Sequence, residues 1–164
     1  MAKDLRRILE QLASNVETLF EATVGKGNAV TLERTVLTHG EEFGPAMALA
    51  LVGLKLGKPK MCFMNATHAA LFHGASYDYV EGYAMSSTIS FPFHHAWVAA
   101  KGSNTPIDVT IADPKGYQYI GVRFTEQELA EEVARLKVYG LLDTGTGLNR
   151  DLITRISKRN MTNG

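Results

Sequence analysis

Cys62 is the only cysteine in the chain. A lone thiol cannot close an internal disulfide, so its chemistry has to be sought in neighbouring side chains. To act as a nucleophile it needs a base to take its proton and a third group to orient that base. Downstream, His95 and Asp108 supply an imidazole and a carboxylate on two successive extended runs, FHHAWVAA and TPIDVTI. If those runs form a hairpin, the two side chains can be cross-strand neighbours. The chemistry implied is acyl transfer through a thioester, with Cys62 as nucleophile, His95 as base and Asp108 holding the imidazole. A register slip of one residue would present His94 instead of His95. Asp113, before Pro114, is the alternative acid.

The elements that must position these groups follow from periodicity. Leu5, Ile8, Leu9, Leu12, Val16, Leu19 and Phe20 form one apolar stripe, which predicts an amphipathic helix over 4–22. The Val- and Thr-rich stretch 29–37 reads as extended, and EEFGPAMALALVGLKL, 41–56, as a buried helix with acids at its start. After the break Gly57-Lys58-Pro59-Lys60, the run MCFMNATHAALFHG predicts a helix that opens at Cys62. There, unpaired backbone N–H groups and the positive end of the helix dipole favour a thiolate and a developing oxyanion. Four aromatic and β-branched runs follow, YDYVEGYAM, FHHAWVAA, TPIDVTI and YQYIGVRF, separated by short polar turns that favour antiparallel pairing. Thr125 and Glu128 form a capping box that predicts a helix over 126–139, before a tail with a short helix near 151–158. Helices first and strands later give an α+β class, read as one domain over 1–164.

Composition narrows the function classes. Lys plus Arg balances Asp plus Glu at 17 each, so no net field draws the chain to nucleic acid or an anionic membrane. The start, MAKDLRRILEQL, lacks the continuous apolar stretch of a signal or anchor. With one free thiol this leads to a cytoplasmic expectation, with no membrane or nucleic-acid partner. Gly53 to Lys58 is one residue short of a phosphate-loop pattern and is followed by Pro59, so it reads as a turn, and no cofactor is expected.

The order of the motifs adds a resemblance. MCFMNA opening a helix, then YVEGYA, HHAWV and PIDVT on successive strands, resembles the transglutaminase-like core within the wider papain-like cysteine hydrolases. The resemblance covers about Met61 to Phe124 and implies an α+β core in which a cysteine-bearing helix packs on an antiparallel sheet. It selects Cys62, His95 and Asp108 as the catalytic triad, with Gly82, Tyr83, Trp97 and Thr110 as framework. It also implies hydrolysis or transfer of a protein or peptide-like amide, as in a protease, amidase or deamidase. Val109 stands where the family usually carries proline. Asn65 is the candidate for a polar oxyanion-hole partner. Arylamine N-acetyltransferases share the Cys, His, Asp order, but their additional domains would not fit in 164 residues.

Other residues allow other readings. Glu81, in an apolar strand, is a candidate substrate-orienting carboxylate, and Tyr83 and Trp97 are second-tier positions about the site. A transglutaminase-like interaction module without catalysis is the alternative of a different class, with Cys62 merely packed. A metal site from His68, His73 and one of the adjacent pair His94 and His95 is the poorest option. His68 and His73 fall about 140° apart around a helix and do not share a face.

Overall fold

The computed structural model describes residues 4–89 and 91–162. Helix α1, Leu5–Val24, starts at Asp4, whose carboxylate accepts from the Arg6 amide, and buries Leu5, Leu9 and Ala13. The apolar stripe thus buries its first half and leaves Leu19, Phe20 and Val24 exposed. The stretch expected to be extended over 29–37 is instead α2, Leu32–His39. The Thr31 hydroxyl caps it by accepting from the Arg34 amide, and Leu32, Thr35 and Val36 bury one face at helical spacing. The cap and the three-to-four spacing outweigh the extended preference of Val and Thr.

No helix spans 41–56. Glu41–Phe43 is the short edge strand β1, which pairs antiparallel with the last strand, and only Leu49–Leu51 turn as a single 3₁₀ turn. Glu41 accepts from the Arg123 guanidinium at 2.7 Å, so one of the acids read as a helix start instead ties down the sheet edge. Gly44 and Pro45 then interrupt the run, and the segment lies along 104–109 through bonds from the Gly44, Met47 and Gly57 amides to the carbonyls of Asn104, Pro106 and Val109. Apolar residues there meet the sheet edge rather than a helical core.

Helix α3, Cys62–Phe72, opens at the cysteine as expected. Strands β2 (Tyr77–Ser86), β3 (Phe93–Ala100), β4 (Pro106–Ile107) and β5 (Tyr117–Phe124) complete an antiparallel sheet in the order β1-β5-β2-β3-β4. β4 is far shorter than TPIDVTI suggested because the Asp108 carboxylate accepts from the amides of Thr110 and Ile111, turning the chain out of the strand. Both halves of the Thr125/Glu128 capping box are present on α4, Glu126–Leu136. That helix stops short of the expected residue 139, where Lys137 turns left-handed at φ 59°. The terminal helix α5, Arg150–Thr162, is longer than the tail suggested.

The fold is α+β, with five α-helices among the described residues. Because side chains alternate along a strand, the sheet has two packed faces. One carries Tyr79, Tyr83, Ala96, Val98, Ile120, Val122 and Phe124 against Leu5 and Leu9 of α1, Val36 of α2, Ala66 and Ala70 of α3, Leu129 of α4 and Ile156 of α5. The other carries Val80, Ala84, Trp97, Ala99 and Tyr119 with Phe43. Gly82 faces Gly121 across β2 and β5, and a Cβ on Gly82 would lie 2.1 Å from the Ile120 carbonyl oxygen, so the strands close only around glycine. Among the described residues no helix is long and apolar enough to cross a membrane.

Candidate active site

The site is assembled at the start of α3. The loop before the helix is clamped by Asn65: its amide oxygen accepts from the Lys58 amide at 3.2 Å and its nitrogen donates to the Lys58 carbonyl at 2.8 Å. The same nitrogen donates to the Thr110 hydroxyl at 2.9 Å, fastening the helix start to the segment that follows Asp108. Gly57 is required there, since a Cβ would come within 2.3 Å of the Asn65 side chain. Asn65 is therefore committed to holding the loop, and its donors are taken by Lys58 and Thr110 rather than left for the oxyanion role expected of it. Met61 provides no side-chain cap, and the first helical bond runs from the Asn65 amide to the Met61 carbonyl. The amides of Cys62, Phe63 and Met64 thus have no partner within the helix.

Strand register brings the imidazole to this point. His95 pairs with Gly82 of β2, on the sheet face of Trp97 and Tyr119, and its ring stacks on Trp97 at a 6.2 Å centroid separation. Its Nε2 lies 2.7 Å from Asp108 Oδ2. The Asp108 carboxylate is wholly buried and satisfied on both oxygens. Oδ1 accepts from the Thr110 and Ile111 amides at 2.9 Å each, and Oδ2 also accepts from the Tyr119 hydroxyl at 2.9 Å. With Nε2 committed to Asp108, Nδ1 is the ring nitrogen that remains, and the half-buried Cys62 lies close enough to His95 to help raise its pKa.

The electrostatics follow from this packing. Burial is the largest influence on His95 and disfavours its charged form. The hydrogen bond and charge of Asp108, with a further contribution from Cys62, outweigh it and raise His95 to about 9. Burial is also the largest influence on Asp108, pushing its carboxyl upward, yet the bond and charge of His95 and the two backbone amides hold it below the ordinary carboxylate value. At neutral pH the pair is an imidazolium and a carboxylate. Burial, together with the Asp108 charge and hydrogen bond, lifts Tyr119 far above a normal phenol, so its hydroxyl serves as a donor.

The two alternatives left open in the sequence lie elsewhere. Asp113 is exposed in a turn, accepting from the Lys115 amide at 3.3 Å. His94 points to the opposite sheet face, where its Nε2 lies 3.0 Å from Glu81 Oε1. Glu81 was expected to orient a substrate, but it is wholly buried. It accepts from the Tyr79 hydroxyl at 2.8 Å and from the amides of Leu141, Leu142 and Asp143 at 2.7, 3.0 and 3.3 Å. It is an anchor for the loop after α4, with no acceptor position left for a substrate.

Tyr83 donates to Glu33 at 2.8 Å and fixes α2 to the sheet. Trp97 is a core ring, edge-on to Phe43 at 5.4 Å, and its indole N–H has no hydrogen-bond partner among the described residues. His68 lies 3.3 Å from the Tyr139 hydroxyl and His73 caps the end of α3 beside Tyr77. Among the described residues no three His, Cys, Asp or Glu side chains are grouped so as to hold a metal ion. Tyr119 was missed in the sequence. Alternation in YQYIG, with Tyr119 opposite Ala84 on the His95 face, is the signal that could have found it. No protein-family model, curated protein or solved structure matches the chain.

Proposed function

We propose that the chain is a cysteine-dependent amide hydrolase or acyltransferase with a transglutaminase-like core. The observation that carries this reading is a buried imidazole bonded to the wholly buried Asp108 carboxylate at 2.7 Å, with the half-buried thiol of Cys62, at the uncapped start of a helix, near enough to act on its charge. A cationic ring beside a thiol favours the thiolate, the form that attacks carbonyl carbon.

The steps follow from these positions. The Cys62 sulfur adds to the carbonyl carbon of an amide, and the carbonyl oxygen takes the electron pair within reach of the free amides at the start of α3. Collapse of that adduct breaks the carbon–nitrogen bond. His95 Nδ1 gives its proton to the departing amine, leaving a thioester on Cys62 and a neutral ring. Water then gives a proton to His95 and its oxygen adds to the thioester, releasing the acid and restoring the thiolate–imidazolium pair. Transfer to an amine would use the same second step with the amine in place of water. Asp108, steadied by Tyr119 and two amides, keeps Nε2 protonated and the ring oriented throughout. A protein or peptide-like amide is the substrate class this chemistry accepts, and a free thiol suits the reducing cytoplasm.

The test is thiol reactivity. Native Cys62 should be alkylated by iodoacetamide at neutral pH faster than the same thiol in urea, and His95→Ala should remove that advantage. Equal rates in the native protein, in the variant and in urea would refute the reading.

A further inference from the structure

A cavity of about 370 Å³ opens beside the start of α3, lined by the residues on either side of Cys62, Met61 and Phe63, and by Met64, with Cys62 itself outside the lining. Val138 and Tyr139, from the segment after α4, form the facing wall, and His94 closes one side with its ring 4.7 Å from that of Phe63. We propose that this cavity is the specificity pocket of the site and takes a bulky apolar side chain, of leucine, methionine or phenylalanine type, carried beside the scissile amide. The inference rests on the catalytic reading of Cys62.

Three observations select an apolar occupant. The walls are thioether, aromatic and aliphatic groups, which gain nothing from a charged guest. The two charged lining residues, Lys60 and Asp143, are of opposite sign and leave no net field. The other polar wall groups, His94, Tyr139 and Thr144, are already bonded, to Glu81, His68 and the Gly147 carbonyl. The wall is also fixed in place. Glu81 holds the amides of Leu141, Leu142 and Asp143, and Gly140 packs so closely that a Cβ there would lie 2.4 Å from the Asp143 carbonyl oxygen and 3.9 Å from the Phe63 ring. A preformed, largely apolar pocket beside the residues that flank Cys62 selects substrates by the surface that they bury.

The experiment measures alkylation of Cys62 in the full chain by iodoacetamide and by its N-isobutyl, N-benzyl and N-carboxymethyl derivatives. Each rate is divided by that of N-acetylcysteine with the same reagent. The isobutyl and benzyl reagents should gain about tenfold or more over iodoacetamide, and the carboxymethyl reagent should gain nothing. Val138→Asp should collapse the apolar gain towards one, with Met64→Gln as the second variant if circular dichroism shows the first to be unfolded. Alkylation that depends on His95 but shows no apolar gain, or a gain that survives in the folded wall variant, overturns the pocket and leaves the triad standing. Alkylation indifferent to His95→Ala overturns the catalytic reading, and the pocket's role falls with it.

Discussion

Asp108→Asn isolates the charge on which the site depends while keeping a side chain of nearly the same shape. His95 stands at about 9 against an ordinary histidine value of 6.5, although burial, the largest influence, works in the opposite direction. An adjacent opposite charge is worth about 1–3 pKa units, so removing it should lower the His95 midpoint by about 2, to about 7 or below. At pH 8 the native ring is about ten-to-one protonated, and in the variant it should be about one-to-ten. The midpoint is read directly by titrating the imidazole resonances by NMR, with His94→Gln used to assign them. Stability carries the same signature. His95 is raised on folding, so its contribution is fully present below about pH 6.5 and is lost as pH rises through about 9. Asp108 is lowered, so its contribution is present above its unfolded value of about 4 and is lost as acid protonates it. The native protein should therefore lose about 3 kcal/mol between pH 6.5 and 9 in urea titrations, taking about 1.4 kcal/mol per pKa unit. The variant should be nearly flat over that window. A His95 midpoint that moves by less than about half a unit in folded Asp108→Asn would refute the claim that this carboxylate sets the charge of the ring.

Two further substitutions test the frame around the site. Glu81→Ala strands the Tyr79 hydroxyl, the His94 ring and the amides of Leu141, Leu142 and Asp143 around a buried void. It should cost about 3 kcal/mol or more in urea unfolding, with faster amide exchange at 141–143, and a loss below about 1 kcal/mol would sink the anchor role. Gly82→Ala drives a Cβ to 2.1 Å from the Ile120 carbonyl oxygen and 2.4 Å from the Gly121 Cα. Backbone on both sides cannot yield, so a loss of about 3 kcal/mol or failure to fold is expected, and a native-like melting temperature would contradict the close approach of β2 and β5.

How far the sequence reaches differs from one element to the next. β2, β3 and β5 coincide with their aromatic and β-branched runs because each strand is packed on both faces and its composition reports that burial. The start of α3 was legible from the Gly-Lys-Pro-Lys break, and the start of α4 from its capping box. The segment 41–56 was not, because apolar residues that line a sheet edge carry the same composition as a buried helix, and no local signal gives their partners at 104–109. Within the site, alternation along FHHAWVAA put one histidine on each face, but only the pairing of β3 with β4, Ala99 opposite Pro106, and the His95–Asp108 contact show which face Asp108 shares. Glu81 was misread for the same reason. Its partners are backbone amides 60 to 62 positions away, and an amide leaves no trace in the sequence.

The adjacent histidines link these two halves of the site. Successive residues on a strand point to opposite faces, so His94 and His95 each meet a carboxylate on their own side of the sheet, Glu81 at 3.0 Å and Asp108 at 2.7 Å. The first pair belongs to the wall that carries Leu141 to Asp143, and the second to the imidazole that faces Cys62. Both are set by one register, Tyr83 opposite His94 and Gly82 opposite His95. A slip of one residue would exchange the two rings and disrupt the wall and the His95–Asp108 pair together. Two histidine–carboxylate pairs on one dipeptide therefore work against misregistered strands, and they make the cavity wall and the His95–Asp108 pair parts of one arrangement. His94 and His95 are consequently not interchangeable: the first is bound to Glu81 at the cavity wall, the second to Asp108 on the opposite face.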